Sequence, residues 1–340
     1  MTKPRISVAS LGGTITMVPS GKTSSAVTPK LSVDDLLLTA PALMELADLS
    51  AETLATVPGA SLGFRDILDA LDWALREVER GASGVVLVQG TDTIEETAYL
   101  IDLHWGRPEP IVVTGAMKAP AAGSDGPANL LAAVHVAMAP GSRGLGCLVV
   151  LHDEVHTAVR VRKTRASGVG AFSSPGFGPI AYLEEGRVVF GNRPASWPSL
   201  TRSTGSESPR VALLETYLDD DASLLDLTVQ AGFDGIVLAG FGVGHVSKPV
   251  AEALTRAVER CPVVLASRTG AGTTFAHTYG FVGSESDLLS RGAIPAGWLD
   301  PRKARILLSS LLSAGCDLAT IRMEFSSRGA LSSPLSASDH

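Results

Sequence analysis

The chain has 340 residues, of which 45% are hydrophobic and 19% are charged. This length and composition predict a globular protein of about two domains with buried cores. The formal net charge of −7 leaves no basic surface that would neutralise a phosphate backbone, so nucleic acid is not expected as a partner. No apolar stretch approaches the length of a membrane span, so the membrane is not expected as a partner either.

The first apolar run and the cysteines predict a location for the protein. A pair of glycines interrupts the chain directly after Ile6–Leu11, before a signal-peptide apolar region would form. The three cysteines are an odd number, and each lies in or beside an apolar segment: Cys147, Cys261 and Cys316. They are predicted to be reduced core cysteines of a cytoplasmic protein.

Strand-like apolar runs alternate with segments of helical period in the first half of the chain. The predicted strands are Ile6–Ser10, Gly84–Gln89, Pro110–Thr114 and Gly146–Leu151, and the predicted helices are Phe64–Arg80, Thr93–Trp105 and Pro127–Ala139. The first helix is followed by Gly81, which is typical of a left-handed cap. Such alternation predicts a parallel sheet with helices on its faces.

A second α/β unit is predicted after a linker. Residues 192–209 are rich in Pro, Ser, Thr and Gly and lack periodicity, which predicts that linker. The strands predicted after it are Val211–Glu215, Gly235–Ala239 and Val263–Ser267, and the helices are Pro249–Arg260 and Pro301–Ala314, the latter with Asp300 as N-cap. The predicted fold is therefore two-domain α/β. Residues 1–191 are predicted to form a larger N-terminal catalytic domain with a mostly parallel sheet flanked by helices, and residues 210–340 are predicted to form a smaller C-terminal α/β domain.

Three glycine-containing turns follow predicted strands, at Leu11–Thr16, Gly90–Thr93 and Gly115–Lys118. Ligands of open α/β sheets bind outside the carboxyl ends of the strands, so the three turns are expected at one edge. Glycines allow close approach to a ligand, and the threonines and Asp92 offer a nucleophile, hydrogen bonds and a carboxylate. Each turn alone is also typical of a plain connection with a helix-capping Thr or Asp. The coincidence of three favours a catalytic site.

Two of these turns carry longer motifs. Residues 11–15 read Leu-Gly-Gly-Thr-Ile, and residues 89–98 read Gln-Gly-Thr-Asp-Thr-Ile-Glu-Glu-Thr-Ala. They resemble the first and second signatures of the bacterial-type L-asparaginase (asparaginase/glutaminase) family. Further segments resemble that family in order and spacing, namely residues 113–117, 124–130, 162–164 and 301–305. The resemblance covers nearly the whole chain and implies an amide hydrolase.

The resemblance implies two catalytic groupings. Thr14 is implied as the nucleophile that attacks the side-chain amide and forms an acyl-enzyme, and Thr91, Asp92 and Lys163 are implied to lie opposite it. An alkyl hydroxyl is a poor nucleophile at neutral pH and needs a nearby base or cation, which a Thr–Lys arrangement supplies. Asp92 is also a candidate to bind the α-ammonium group of the substrate.

The candidate substrate-binding residues lie mostly in the same turns: Gly13, Ser61, Gly90, Thr91, Asp92 and Ala116. Backbone N–H groups near Thr91 or Ala116 are candidates to hold the developing oxyanion, which is a large contribution in acyl-transfer catalysis. Ser61 is the candidate contact for the substrate carboxylate.

The chain departs from the family pattern at three places. Family members commonly carry a tyrosine on a mobile loop after the first signature, whereas Val18–Lys30 contains none, which leaves the catalytic base open. The loop composition still predicts a mobile lid. The family's Ser-Gln pair corresponds to Gly59–Leu62, which lacks the glutamine. The acidic residue that a neighbouring subunit commonly supplies has no counterpart in Thr274–Tyr279, where His277 and Tyr279 are candidates to reach a partner's site.

Two classes of function remain open from the sequence. The first is an L-asparaginase-like amidohydrolase that converts L-asparagine to L-aspartate and ammonia, or a broader amidase acting on glutamine or another amidated amino acid. The second is a non-catalytic relative that binds amino acids as a sensor or within an amidotransferase assembly. Two hydroxyls and an amine at the matching positions favour the enzyme. No cofactor and no metal are expected, and the resemblance implies a homo-oligomer built as a dimer of dimers.

Overall fold

The chain folds into two compact units, Met1–Ser196 and Trp197–His340. A computed structural model describes residues 3–13, 17–19, 27–29, 35, 38–119, 123–202 and 208–331. The larger N-terminal unit is built on a mixed sheet and the smaller C-terminal unit on a parallel sheet, both with helices. The predicted two-domain α/β fold is confirmed. The boundary between the units lies within residues 192–209.

The strands of the N-terminal unit are β1 Arg5–Ser10, β2 Met17–Pro19, β3 Val27–Pro29, β4 Asp48–Thr53, β5 Gly84–Val88, β6 Ile111–Thr114, β7 Cys147–Leu151, β8 Glu154–Thr157, β9 Arg162–Lys163, β10 Phe172–Ser173, β11 Ala181–Glu184 and β12 Arg187–Phe190. Eight of them form one sheet in the order β12-β11-β8-β7-β6-β5-β1-β4. Within it β4, β1, β5, β6 and β7 run parallel. Two antiparallel pairs, β2 with β3 and β9 with β10, stand outside this sheet.

The helices whose full bounds are described in this unit are α1 Leu43–Leu46, α2 Phe64–Glu79, α3 Ile94–His104 and α4 Gly126–Met138. Strand β5 is buried at every residue because both of its faces are covered, which explains its continuous apolar sequence. Helix α2 is amphipathic and buries one stripe that includes Ile67 and Leu71. It ends where Gly81 takes a φ of +95°, as the sequence predicted.

The C-terminal unit contains a four-stranded parallel sheet in the order β13-β14-β15-β16. Its strands are β13 Val211–Glu215, β14 Gly235–Gly240, β15 Val263–Ser267 and β16 Ile294–Pro295, and its helices are α5 Ser223–Gln230, α6 Lys248–Ala257, α7 Glu285–Ser290, α8 Pro301–Ser313 and α9 Leu318–Arg328. Asp300 caps α8, since its side chain accepts a hydrogen bond from the N–H of Arg302. No helix in the described ranges is long and apolar enough to cross a membrane.

The cysteines are all free, but only two of them are core residues. Cys147 and Cys261 are buried, and burial raises the pKa of the Cys261 thiol to about 11. The prediction was wrong for Cys316, which is partly exposed. It lies in the short connection between α8 and α9, directly after Gly315 with a φ of +70°, where the chain turns at the surface.

Candidate active site

The carboxyl ends of the central parallel strands meet at one edge of the larger sheet. Backbone hydrogen bonds continue past the strand ends: the N–H of Leu11 donates to Val88 at 2.8 Å, and that of Val57 donates to Leu11 at 3.3 Å. The N–H of Gln89 donates to Thr114 at 3.0 Å. The segments that follow β1, β4, β5 and β6 are therefore held side by side, as the sequence predicted for the glycine-containing turns.

Three glycines let these segments pack backbone against backbone. A Cβ atom added to Gly13 would lie 2.1 Å from the nitrogen of Gly90, and one added to Gly90 would lie 2.7 Å from the nitrogen of Gly59. Gly13 also has a φ of +90°, which L residues rarely adopt. The structure thus brings the predicted binding residues Gly13 and Gly90 into contact with each other, and it places Gly90 against the turn that carries Ser61.

Lys163 joins two of the predicted catalytic residues. Its Nζ donates to Thr91 Oγ1 at 3.0 Å and to Asp92 Oδ1 at 2.8 Å. Thr91 is buried, and the Lys163 side chain is 15% exposed, whereas the Asp92 side chain is 63% exposed. Lys163 therefore approaches from the protein interior and Asp92 from the solvent side. This arrangement presents a hydroxyl held by an amine, next to an accessible carboxylate.

Glu95 fixes the backbone of Lys163, and sequence reasoning did not single it out. Its Oε2 accepts a hydrogen bond from the Lys163 N–H at 2.7 Å. Glu95 is only 5% exposed, so this bond is made by a buried side chain. The residue lies in the first turn of α3, inside the second signature motif. A glutamate on the buried side of a helix start is a signal that was present in the sequence, but its partner is 68 residues away.

The turn that carries Ala116 is held by two side chains near the start of α4. Asn129 Nδ2 donates to the carbonyl oxygen of Gly115 at 2.9 Å, and Asp125 accepts hydrogen bonds from the N–H groups of Met117 at 3.2 Å and Lys118 at 2.9 Å. Ala116 is fully buried. The backbone on both sides of Ala116 is thus fixed by side-chain hydrogen bonds.

Thr14 and Ser61 are the two remaining predicted site residues. Thr14, the predicted nucleophile, and most of the predicted lid within Val18–Lys30 lie outside the described residues. Ser61 ends the 3-10 turn Gly59–Ser61 and is exposed. Among the described residues there is no cluster of three or more His, Cys, Asp or Glu side chains suited to a metal ion.

The two aromatic candidates of the C-terminal unit differ in their surroundings. Both side chains are exposed, but Tyr279 also packs edge-on against the His245 ring, with centroids 4.8 Å apart. His245 Nε2 lies 3.1 Å from Glu285 Oε2. Burial by itself raises the pKa of Glu285, but hydrogen bonds from the N–H groups of Tyr279 and Thr278 and from His245 outweigh it, so that pKa lies below its ordinary value.

The fold and the site define a two-domain α/β protein with a polar site at the carboxyl edge of its larger sheet. A family model described as "Asparaginase, N-terminal" matches residues 5–196, and one described as "Glutaminase/Asparaginase C-terminal domain" matches residues 210–325. The chain belongs to the asparaginase family. This confirms the resemblance and the prediction that the chain is a hydrolase of that type.

Individual relatives agree with this assignment. The chain is 32% identical over 334 residues to "Probable L-asparaginase periplasmic" of Haemophilus influenzae, covering 95% of this chain and 92% of the relative. It is 30% identical over 312 residues to a glutamyl-tRNA(Gln) amidotransferase subunit of Methanosphaera stadtmanae, covering 89% of this chain and 70% of that relative. The crystal structure of a probable cytoplasmic L-asparaginase from Campylobacter jejuni matches with a TM-score of 0.86 at 31% identity, covering 95% of this chain and 99% of the other.

Proposed function

We propose that this protein hydrolyses L-asparagine to L-aspartate and ammonia through a threonine nucleophile and an acyl-enzyme. The observation that carries the proposal is the contact of Lys163 Nζ with both Thr91 Oγ1 and Asp92 Oδ1, at the edge where the glycine turns meet. A binding protein needs an amino-acid pocket but no amine held against a hydroxyl. An acyl-transfer enzyme needs such a pair to handle protons.

In the proposed reaction Thr14 attacks the side-chain amide carbon and its proton passes to a base. The base then gives this proton to the amide nitrogen, and the tetrahedral intermediate expels ammonia as it collapses to an ester of Thr14. Water hydrolyses this ester to L-aspartate and restores the hydroxyl. Lys163 acts through Thr91 on the proton transfers, while backbone N–H groups near Thr91 or Ala116 hold the oxyanion. Asp92 binds the α-ammonium and Ser61 the α-carboxylate.

A second candidate is supported by the similarity to an amidotransferase component. In that case the chain would release ammonia efficiently only within an assembly. Ammonia release by the purified chain from L-asparagine, L-glutamine and other amides separates the two candidates. Turnover of a free amino-acid amide without any added protein supports the hydrolase. If the purified chain releases no ammonia from any amide, the result supports the amidotransferase component.

We expect the enzyme to prefer asparagine over glutamine. The two substrates differ by one methylene, and a pocket shaped for the shorter side chain gives roughly a tenfold to two-hundredfold preference. The check is kcat/KM for both amides on the same preparation. Equal values would mean that the pocket does not distinguish chain length.

We propose that the protein is a homo-oligomer built from close dimers, as a dimer of dimers, in the cytoplasm. Symmetric dimers are the commonest assembly, and the free state of all three cysteines fits a reducing compartment. Sedimentation at the protein concentrations used in activity assays is expected to show a tetramer. A fully active monomer under those conditions would contradict the assembly.

A further inference from the structure

A chain of hydrogen bonds connects two of the turns at the carboxyl edge of the larger sheet. Thr93 Oγ1 donates to the carbonyl oxygen of Gly59 at 2.9 Å. Gln89 Nε2 lies 3.3 Å from Thr93 Oγ1 and 3.2 Å from the carbonyl oxygen of Gly90. Gln89 directly follows strand β5 and is fully buried. The connection therefore runs from the end of a central strand to the turn that carries Ser61.

The direction of each hydrogen bond follows from the groups involved. A threonine hydroxyl has one proton, and Thr93 uses it on Gly59 because a carbonyl oxygen only accepts. Thr93 Oγ1 must then accept from the amide nitrogen of Gln89. The carbonyl of Gly90 also only accepts, so it requires the same orientation of that amide. The Gln89 nitrogen thus faces both partners.

This orientation leaves Gln89 Oε1 buried and without a hydrogen-bond partner among the residues that the structure describes. A buried acceptor that has no donor destabilises the folded state. The amide is therefore a poor choice for stability alone, whereas its N–H group holds Thr93. This imbalance points to a positional role for the side chain.

We propose that Gln89 and Thr93 are positioning residues that hold the Gly59–Ser61 turn in register with the Thr91–Asp92 turn. The inference rests on the proposed function, in which Ser61 binds the α-carboxylate of the substrate. Gly59 and Gly90 are already in backbone contact, so loss of the Thr93 bond lets the turns separate or slide but brings them no closer. Thr93 thereby controls how well Ser61 reaches the substrate.

The kinetic consequence is a change in binding that spares the chemical step. The α-carboxylate is not at the reacting amide, so its contact contributes equally to the ground state and the transition state. Loss of such uniform binding raises KM and leaves kcat unchanged. A purely structural role would instead lower stability and the active fraction without this pattern.

The test compares Thr93→Val, which removes the hydroxyl with little change of shape, with Thr93→Ser, which keeps it. Thr93→Val is expected to raise KM for L-asparagine by about tenfold and to leave kcat within about threefold, whereas Thr93→Ser stays close to the natural protein. Gln89→Met is expected to raise KM in the same direction without lowering Tm, since it also removes the unpartnered acceptor. Adding Ser61→Ala to Thr93→Val should raise KM little further, because both changes remove one contact.

Equal KM values for Thr93→Val and Thr93→Ser would overturn the inference, and so would a Gln89→Met protein with the natural KM. Binding of L-aspartate, measured by calorimetry on the same proteins, separates this result from a failure of the proposed function. If the natural protein binds L-aspartate but releases no ammonia, only the hydrolase proposal fails. A weaker Kd in Thr93→Val than in Thr93→Ser then still supports the positioning role, and equal Kd values or no binding by the natural protein overturn it.

Discussion

Replacing Thr14 by alanine is expected to lower ammonia release by at least about a thousandfold while the protein remains folded. The change removes the hydroxyl that we propose as the nucleophile, so the ester of the proposed reaction cannot form. Binding need not be lost with it, because the proposed contacts of the α-ammonium and α-carboxylate are made by Asp92 and Ser61. The measurement is kcat for L-asparagine, combined with calorimetry for L-aspartate on the same variant.

Thr14→Ser provides the matched control for this experiment. It keeps a hydroxyl and is therefore expected to retain part of the activity, whereas Thr14→Ala does not. A trace of natural enzyme from the expression host would mimic residual activity, so a host that lacks asparaginase genes is needed. If Thr14→Ala then released ammonia at the natural rate, Thr14 would lose its proposed role and another hydroxyl would have to be the nucleophile.

Much of the architecture could be predicted because it depends on local patterns. Strands such as Gly84–Val88 are continuous apolar runs, and helix Pro301–Ser313 begins with the Asp-Pro pattern of a capped start. The meeting of the glycine turns also follows from a simple rule, since parallel strands end at one edge. These features need no knowledge of distant contacts.

The parts of the site that escaped prediction depend on distant partners. Glu95 and Lys163 are 68 residues apart, and Thr93 and Gly59 are 34 apart. Each of these side chains has an ordinary local explanation, such as a helix-start glutamate or a capping threonine. Only the folded chain shows that they hold the turns at the carboxyl edge of the larger sheet. The same reasoning explains Cys316, whose apolar neighbours on α8 did not reveal that the chain turns at the surface there.

The second large effect is expected at the Lys163–Thr91 pair. Because the loop Val18–Lys30 contains no tyrosine, the proton of Thr14 needs another acceptor, and we propose that the neutral amine form of Lys163 takes it through Thr91, directly or by way of a water molecule. The Lys163 Nζ to Thr91 Oγ1 distance of 3.0 Å allows proton transfer between them. Lys163→Met and Thr91→Val are each expected to lower kcat by about 10²- to 10⁴-fold, the usual contribution of acid–base catalysis.

Stability should change little in these variants, which makes the kinetic loss interpretable. The carboxylate that pairs with Lys163 belongs to Asp92, whose side chain is 63% exposed, and an ion pair with so accessible a partner contributes only about 0–1 kcal/mol. The bond from Glu95 is made to the backbone N–H of Lys163 and survives the substitution. A similar Tm for the natural protein and Lys163→Met is therefore expected, and a large drop would mean that the kinetic loss reports misfolding.

The double mutant distinguishes a functional pair from two independent contributors. Residues that act as one unit lose their effect together, so Lys163→Met combined with Thr91→Val should be little worse than either single change. The measurement is a double-mutant cycle on kcat/KM, together with the pH–rate profile of each variant. Thr91→Ser, which keeps the hydroxyl, is expected to retain most of the activity. Fully additive losses, or a basic limb that Lys163→Met leaves unaltered, would assign the base to a loop hydroxyl, to a residue such as Tyr279 from a partner subunit, or to solvent.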